Sequence, residues 1–125
     1  MKKILVIDDD KDLSALMKPI FEKAGYQVVF SDNPADGIDA AKVEKPDLIL
    51  MDVMLPGVNG AEAVKILSSE RFIRDIPVIF LTALFSESEK YNSQSGIKVG
   101  NKHYEVIAKP FEIKELLAKV KAAIG

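Results

Sequence analysis

Residues 3–10 read KILVIDDD, an unbroken aliphatic run that stops on three aspartates. The run is too short for a helix. It lacks the polar alternation of a strand with one wet face, so it reads as a strand covered on both faces, as in a parallel sheet. The same pattern recurs downstream. Asp47–Met51 ends on Asp52, and Ile76–Leu81 ends on Thr82. Tyr104–Ile107 leads through Ala108 to Lys109-Pro110, and the weaker run Gln27–Phe30 ends in Ser31-Asp32 and belongs near an edge.

Helical spacing fills the gaps. Leu13, Leu16, Met17, Ile20 and Ala24 recur at i, i+3 and i+4, and Gly25 supplies the stop. Pro19 lies inside this pattern and predicts a kink, because it removes one helical hydrogen bond. Asn33-Pro34 is a helix start, a capping side chain followed by proline at the first turn. Asn59 with Glu62, and Ser86 with Glu89, have the spacing of capping boxes. Ile113, Leu116, Leu117, Val120 and Ile124 make one apolar stripe. The expected fold is therefore α/β: five β-α units with right-handed crossovers, giving a doubly wound five-stranded parallel sheet with helices on both faces.

Composition narrows the chemistry. A chain of 125 residues with 48% hydrophobic and 29% charged residues suits one globular domain over residues 1–125. A net charge of −2 does not suggest direct nucleic-acid binding. The absence of cysteine excludes disulfides and thiolate sites, and the single His103 excludes a site built from several histidines of this chain. No apolar run has the length of a membrane span, and the start is not a signal peptide, so the expected compartment is the cytoplasm.

In open parallel sheets, ligands bind beyond the carboxyl ends of the strands. That edge collects Asp8, Asp9, Asp10, Asp52, Thr82 and Lys109. Clustered carboxylates repel one another unless a cation joins them, and oxygen-only donors suit Mg²⁺. On their own, the three aspartates also fit a solvated turn at a helix N-terminus, and Lys109 also fits a surface lysine. Taken together, the groups describe a site for an anionic oxygen group. Acids would hold a metal, lysine would neutralise charge, and threonine would donate a hydrogen bond. A carboxylate there can itself be the nucleophile, forming an aspartyl phosphate.

Four motifs in order, ILVIDDD, DLILMDVMLPGVNG, PVIFLTA and AKPF, resemble the receiver domain of two-component response regulators. The resemblance covers residues 1–84 and 106–125. It implies the flavodoxin-like strand order 2-1-3-4-5 and a stand-alone receiver without an effector domain. By the resemblance, Asp52 is the phosphoacceptor, Asp9 a direct Mg²⁺ ligand, Asp8 a ligand through water, and the Met54 backbone carbonyl a further metal contact. Thr82 and Lys109 bind the phosphoryl oxygens. Asp10 is an extra acid at the start of the first helix. The donor is a phosphohistidine on a sensor histidine kinase or a histidine phosphotransfer protein. The expected function is phosphorelay signalling, in which phosphorylation changes a partner-binding surface, rather than enzymatic turnover of a substrate. Met54 and Leu84 stand where the family flanks the path of attacking water.

Two departures concern the readout. Val106 stands where the family carries an aromatic switch residue. Residues 86–104 do not resemble an ordinary fourth helix; within them IKV, Gly100-Asn101 and KHY read as a small hairpin. Two other readings are open at this level. Asp8 and Asp10 have the D-x-D spacing of haloacid-dehalogenase-like phosphatases, although a cap and the usual hydroxyl at position 12 are missing. A receiver-like interaction module that is not phosphorylated would have no need of the full set of acids, Thr82 and Lys109. A dinucleotide-binding fold lacks its G-x-G-x-x-G.

Overall fold

The computed structural model describes residues 1–52, 54–55, 58–59, 76–82, 97–99, 102–108 and 111–125. Strand β1 (Lys2–Ile7) is followed by helix α1 (Lys11–Lys23), β2 (Tyr26–Ser31), α2 (Pro34–Glu44) and β3 (Leu48–Asp52). Then come β4 (Met54–Leu55), β5 (Val58–Asn59), β6 (Val78–Thr82), β7 (Ile97–Val99), β8 (Lys102–Ala108) and a last helix, Ile113–Ile124.

The main sheet runs β2-β1-β3-β6-β8-β7. Its first five strands pair in parallel and correspond to the order 2-1-3-4-5 expected above. The weak run forms edge strand β2, as its composition indicates. The opposite edge carries a sixth strand. β7 pairs antiparallel with β8 through Ile97↔Tyr104, Lys98↔His103 and Val99↔Lys102, the pairing expected of the IKV and KHY segments. That pairing also explains why β8 begins at Lys102 rather than at Tyr104, since the ladder fixes the backbone of the two residues before the aliphatic run. β4 and β5 form a separate two-strand ladder immediately after β3.

Alternation along each strand divides the core in two. Leu5, Ile7, Ile49, Met51, Val78, Phe80 and Val106 face one side, where Ala41 of α2 packs on them. Ile4, Val6, Leu48, Leu50, Ile79, Leu81 and Ile107 face the other, against Met17 and Phe21 of α1 and Leu116 and Val120 of the last helix. The continuous aliphatic runs are thus two interleaved faces, each buried by a different helix layer. Burying each large side chain is worth about 1.5–3 kcal/mol before chain entropy is subtracted.

The local signals act as chemistry requires. Asn33 caps α2, its side chain accepting the Asp36 N–H at 2.8 Å. Gly25 takes φ 97°, the left-handed conformation that ends α1. Helix α1 continues through Pro19 as one element. Asn59 lies in β5 rather than at a described helix start, and Glu62, Ser86 and Glu89 lie outside the described residues.

Candidate functional site

The site is built from the carboxyl ends of β1 and β3. Register pairs Ile7 with Met51, so Asp8 and Asp52 follow on the two strands at the same level. Asp8 is 2% exposed and Asp52 9% exposed, whereas Asp9 is exposed. One carboxylate oxygen from each of Asp8, Asp9 and Asp52 lies within 4.8 Å of the others.

The turn after β1 is held by its own polar groups. The Asp8 N–H donates to the Ser31 carbonyl at the end of β2, at 3.0 Å. The Asp8 carboxylate accepts the Asp10 N–H at 2.9 Å. Asp10 in turn caps α1, accepting the Leu13 N–H at 3.1 Å. The three consecutive aspartates therefore have different tasks. Asp10 satisfies a helix terminus, as its place before Leu13 suggests. Asp8 and Asp9 join Asp52.

Around an octahedral Mg²⁺, with bonds of about 2.0–2.1 Å, neighbouring oxygens stand roughly 3 Å apart and opposite ones about 4 Å. Three oxygens within 4.8 Å of one another, from hard carboxylate donors and no nitrogen or sulfur, are close enough to share one such ion directly or through water.

The remaining expected residues are placed by the backbone. Asp52 pairs with Leu81, so Thr82 ends β6 one step further along the same edge. Thr82 pairs with Ala108, the last residue of β8. Lys109 and Leu84 lie outside the described residues. Met54 begins the β4–β5 ladder, paired with Asn59. The sequence carries no sign of this ladder, because two-residue strands have no periodicity to detect.

A groove of about 530 Å³ adjoins the cluster and shares Asp8 with it. Lys11, Ser14 and Lys18 of α1 line one side, and Asp32 and Asp36 another. The spacing of Lys11, Ser14 and Lys18 marks one helix face. Nothing in the sequence shows that this face meets the end of β2.

The profile of the response regulator receiver domain matches residues 4–121. The chain belongs to the response regulator receiver family. The alkaline phosphatase synthesis transcriptional regulatory protein PhoP of Bacillus subtilis is 36% identical to this receiver domain over 123 residues, covering 98% of this chain and 48% of PhoP. The phosphate regulon transcriptional regulatory protein PhoB of Pseudomonas aeruginosa is 37% identical over 123 residues, covering 98% of this chain and 52% of PhoB. The receiver domain thus spans about half the length of these curated relatives.

Solved receivers share its fold. The beryllofluoride-activated receiver of Klebsiella pneumoniae RstA superposes with a TM-score of 0.81 at 26% identity, covering 98% of each chain. The receiver domain of the sensor histidine kinase PA1611 from Pseudomonas aeruginosa has a TM-score of 0.82 at 25% identity. The match covers 99% of this chain and 98% of that one, whose active-site cleft coordinates a magnesium ion. These relatives favour phosphorylation-dependent signalling over the haloacid-dehalogenase-like reading and over a module that is not phosphorylated. Among the described residues, no helix is long and apolar enough to cross a membrane.

Proposed function

We propose that Asp52 accepts a phosphoryl group from the phosphohistidine of a sensor histidine kinase or a histidine phosphotransfer protein. The convergence of Asp8, Asp9 and Asp52 at adjacent strand ends carries this reading. An Asp52 carboxylate oxygen attacks phosphorus in line, the P–N bond to the donor breaks, and the departing imidazole takes a proton. Asp9, Asp52 and the Met54 carbonyl would hold Mg²⁺ directly, and Asp8 would support it through water. Held there, the ion would supply positive charge against the oxygens of the transferring group. Thr82 donates a hydrogen bond to a phosphoryl oxygen, and Lys109 places a point charge beside another. A structural neighbour with magnesium in its cleft and another in the beryllofluoride form support this assignment. No direct contact with DNA is assigned to this domain, in keeping with its net charge of −2.

The test is incorporation from a small donor. Acetyl phosphate with Mg²⁺ labels wild type and does so poorly after chelation. Asp52→Asn takes up no label. Equal labelling of that variant would show that another residue is the acceptor.

A further inference from the structure

We infer that Gly37 is a positioning residue for the metal site, acting through Ile7 on Asp8. This inference rests on the reading of Asp8 as a support of Mg²⁺.

Gly37 is buried in the first half of α2, four residues before Ala41, which packs into the core. A Cβ at position 37 would stand 2.5 Å from Ile7 Cδ1, 2.7 Å from Cγ1 and 3.1 Å from Cγ2. Carbon atoms do not approach so closely, so α2 or Ile7 would have to move. Ile7 has little room to give way, since it is fully buried in the cluster with Leu5, Met51 and Ala41. Glycine within a helix lowers helix propensity, and the close approach to Ile7 is the physical reason for its presence here.

Ile7 is bonded to Asp8, so a shift of Ile7 is passed directly to the carboxylate that faces Asp9 and Asp52. A shift of α2 reaches Asp8 by a second route. Asn33 caps α2 and follows closely on Ser31, whose carbonyl holds the Asp8 N–H. Both ways of relieving the clash therefore disturb the same ligand.

The experiment compares Gly37→Ala, Ile7→Val and the double variant with wild type, all unphosphorylated. Mg²⁺ affinity is measured by calorimetry, and the amide signals of Asp8, Asp9 and Asp10 are followed by NMR in the metal-free proteins. Gly37→Ala weakens Mg²⁺ binding roughly tenfold, the size of effect typical of groups that orient metal ligands. It also moves those three amide signals. Ile7→Val alone binds like wild type. The double variant falls between the two, because valine lacks Cδ1 but retains the carbon now at Cγ1.

A merely helical effect would raise the melting temperature of Gly37→Ala and leave Mg²⁺ affinity unchanged. That result overturns the positioning role while wild-type binding leaves the metal reading intact. Wild type without Mg²⁺ affinity overturns the metal reading and this inference with it. If Gly37→Ala does not fold, the double variant against Ile7→Val provides the same comparison, and equal affinities there overturn the proposal.

Discussion

Asp8 and Asp52 stand level on adjacent parallel strands, one residue beyond the Ile7–Met51 pair, and both carboxylates are buried. Parallel register makes this a direct outcome of the fold. Two strands that run the same way and end together deliver their next residues to one place, with Asp9 beside them.

Such crowding of like charge opposes folding when no cation is bound. Asp52→Asn keeps the side-chain shape and removes one charge. Without metal, the variant should gain about 1 kcal/mol, or roughly 3–5 °C in melting temperature for a chain of this size. Added Mg²⁺ should raise the wild-type midpoint by mass action and raise that of the variant less. Calorimetric scans with and without Mg²⁺ measure both effects. A lower midpoint for the metal-free variant would remove the argument from shared charge.

Asp9 and Asp10 are neighbours with separable roles. Asp9→Ala should abolish Mg²⁺ binding at millimolar concentration and leave α1 capped. Asp10→Ala should retain Mg²⁺ binding but lose about 1 kcal/mol of stability, the ordinary value of an N-cap side chain. Parallel metal titrations and melts of the two variants distinguish these outcomes. Equal loss of Mg²⁺ affinity in both would show that the cap and the ligand set are not separate.

The lifetime of the phosphorylated form should be long. Met54 follows the proposed acceptor by two positions and has no group that orients an attacking water. Met54→Asn offers an amide there and should accelerate loss of phosphate. The decay of labelled protein after removal of the donor measures this rate. A variant that decays no faster than wild type removes Met54 from the explanation.

Val106 is 8% exposed and packs with Phe80, its partner across β6 and β8. Its single preferred rotamer gives it little scope to alternate between two positions. The signal should therefore travel along β8, which carries Ala108 opposite Thr82 at one end and the β7 hairpin at the other. Beryllofluoride with Mg²⁺ should alter hydrogen exchange in the β7–β8 hairpin more than in α1 or α2. Val106→Tyr should cost about 1–3 kcal/mol by overpacking, while Asp52 is still phosphorylated. Exchange changes spread evenly over the domain would count against this route.

Much of the site was legible because its signals are local. Asp8 and Asp52 directly follow aliphatic runs and Asp9 follows Asp8, so strand period and chain order place all three on one edge. The Gly100-Asn101 pair marked the hairpin in the same way. Gly37 carried no such mark. Its neighbour Ile7 is distant along the chain, and only the packing of α2 on β1 brings the two together. The β4–β5 ladder was equally silent, since Met54-Leu55 and Val58-Asn59 are too short to show alternation. The shared groove joins Lys11 and Lys18 of α1 to Asp32 and to Asp36 of α2, which no spacing encodes.

By itself, the sequence determined the class of fold, the five parallel strands and the edge on which the acids gather. These follow from hydrophobic period and from the handedness of crossovers, which are local or nearly universal properties of the chain. Tertiary structure alone decided how closely Asp8 and Asp9 approach Asp52. One carboxylate oxygen from each comes within 4.8 Å of the others. It also decided that α2 approaches Ile7 where only glycine leaves room. Those outcomes depend on distances between residues far apart in the chain. The packing of two helix layers on one sheet sets those distances, and no single segment contains them.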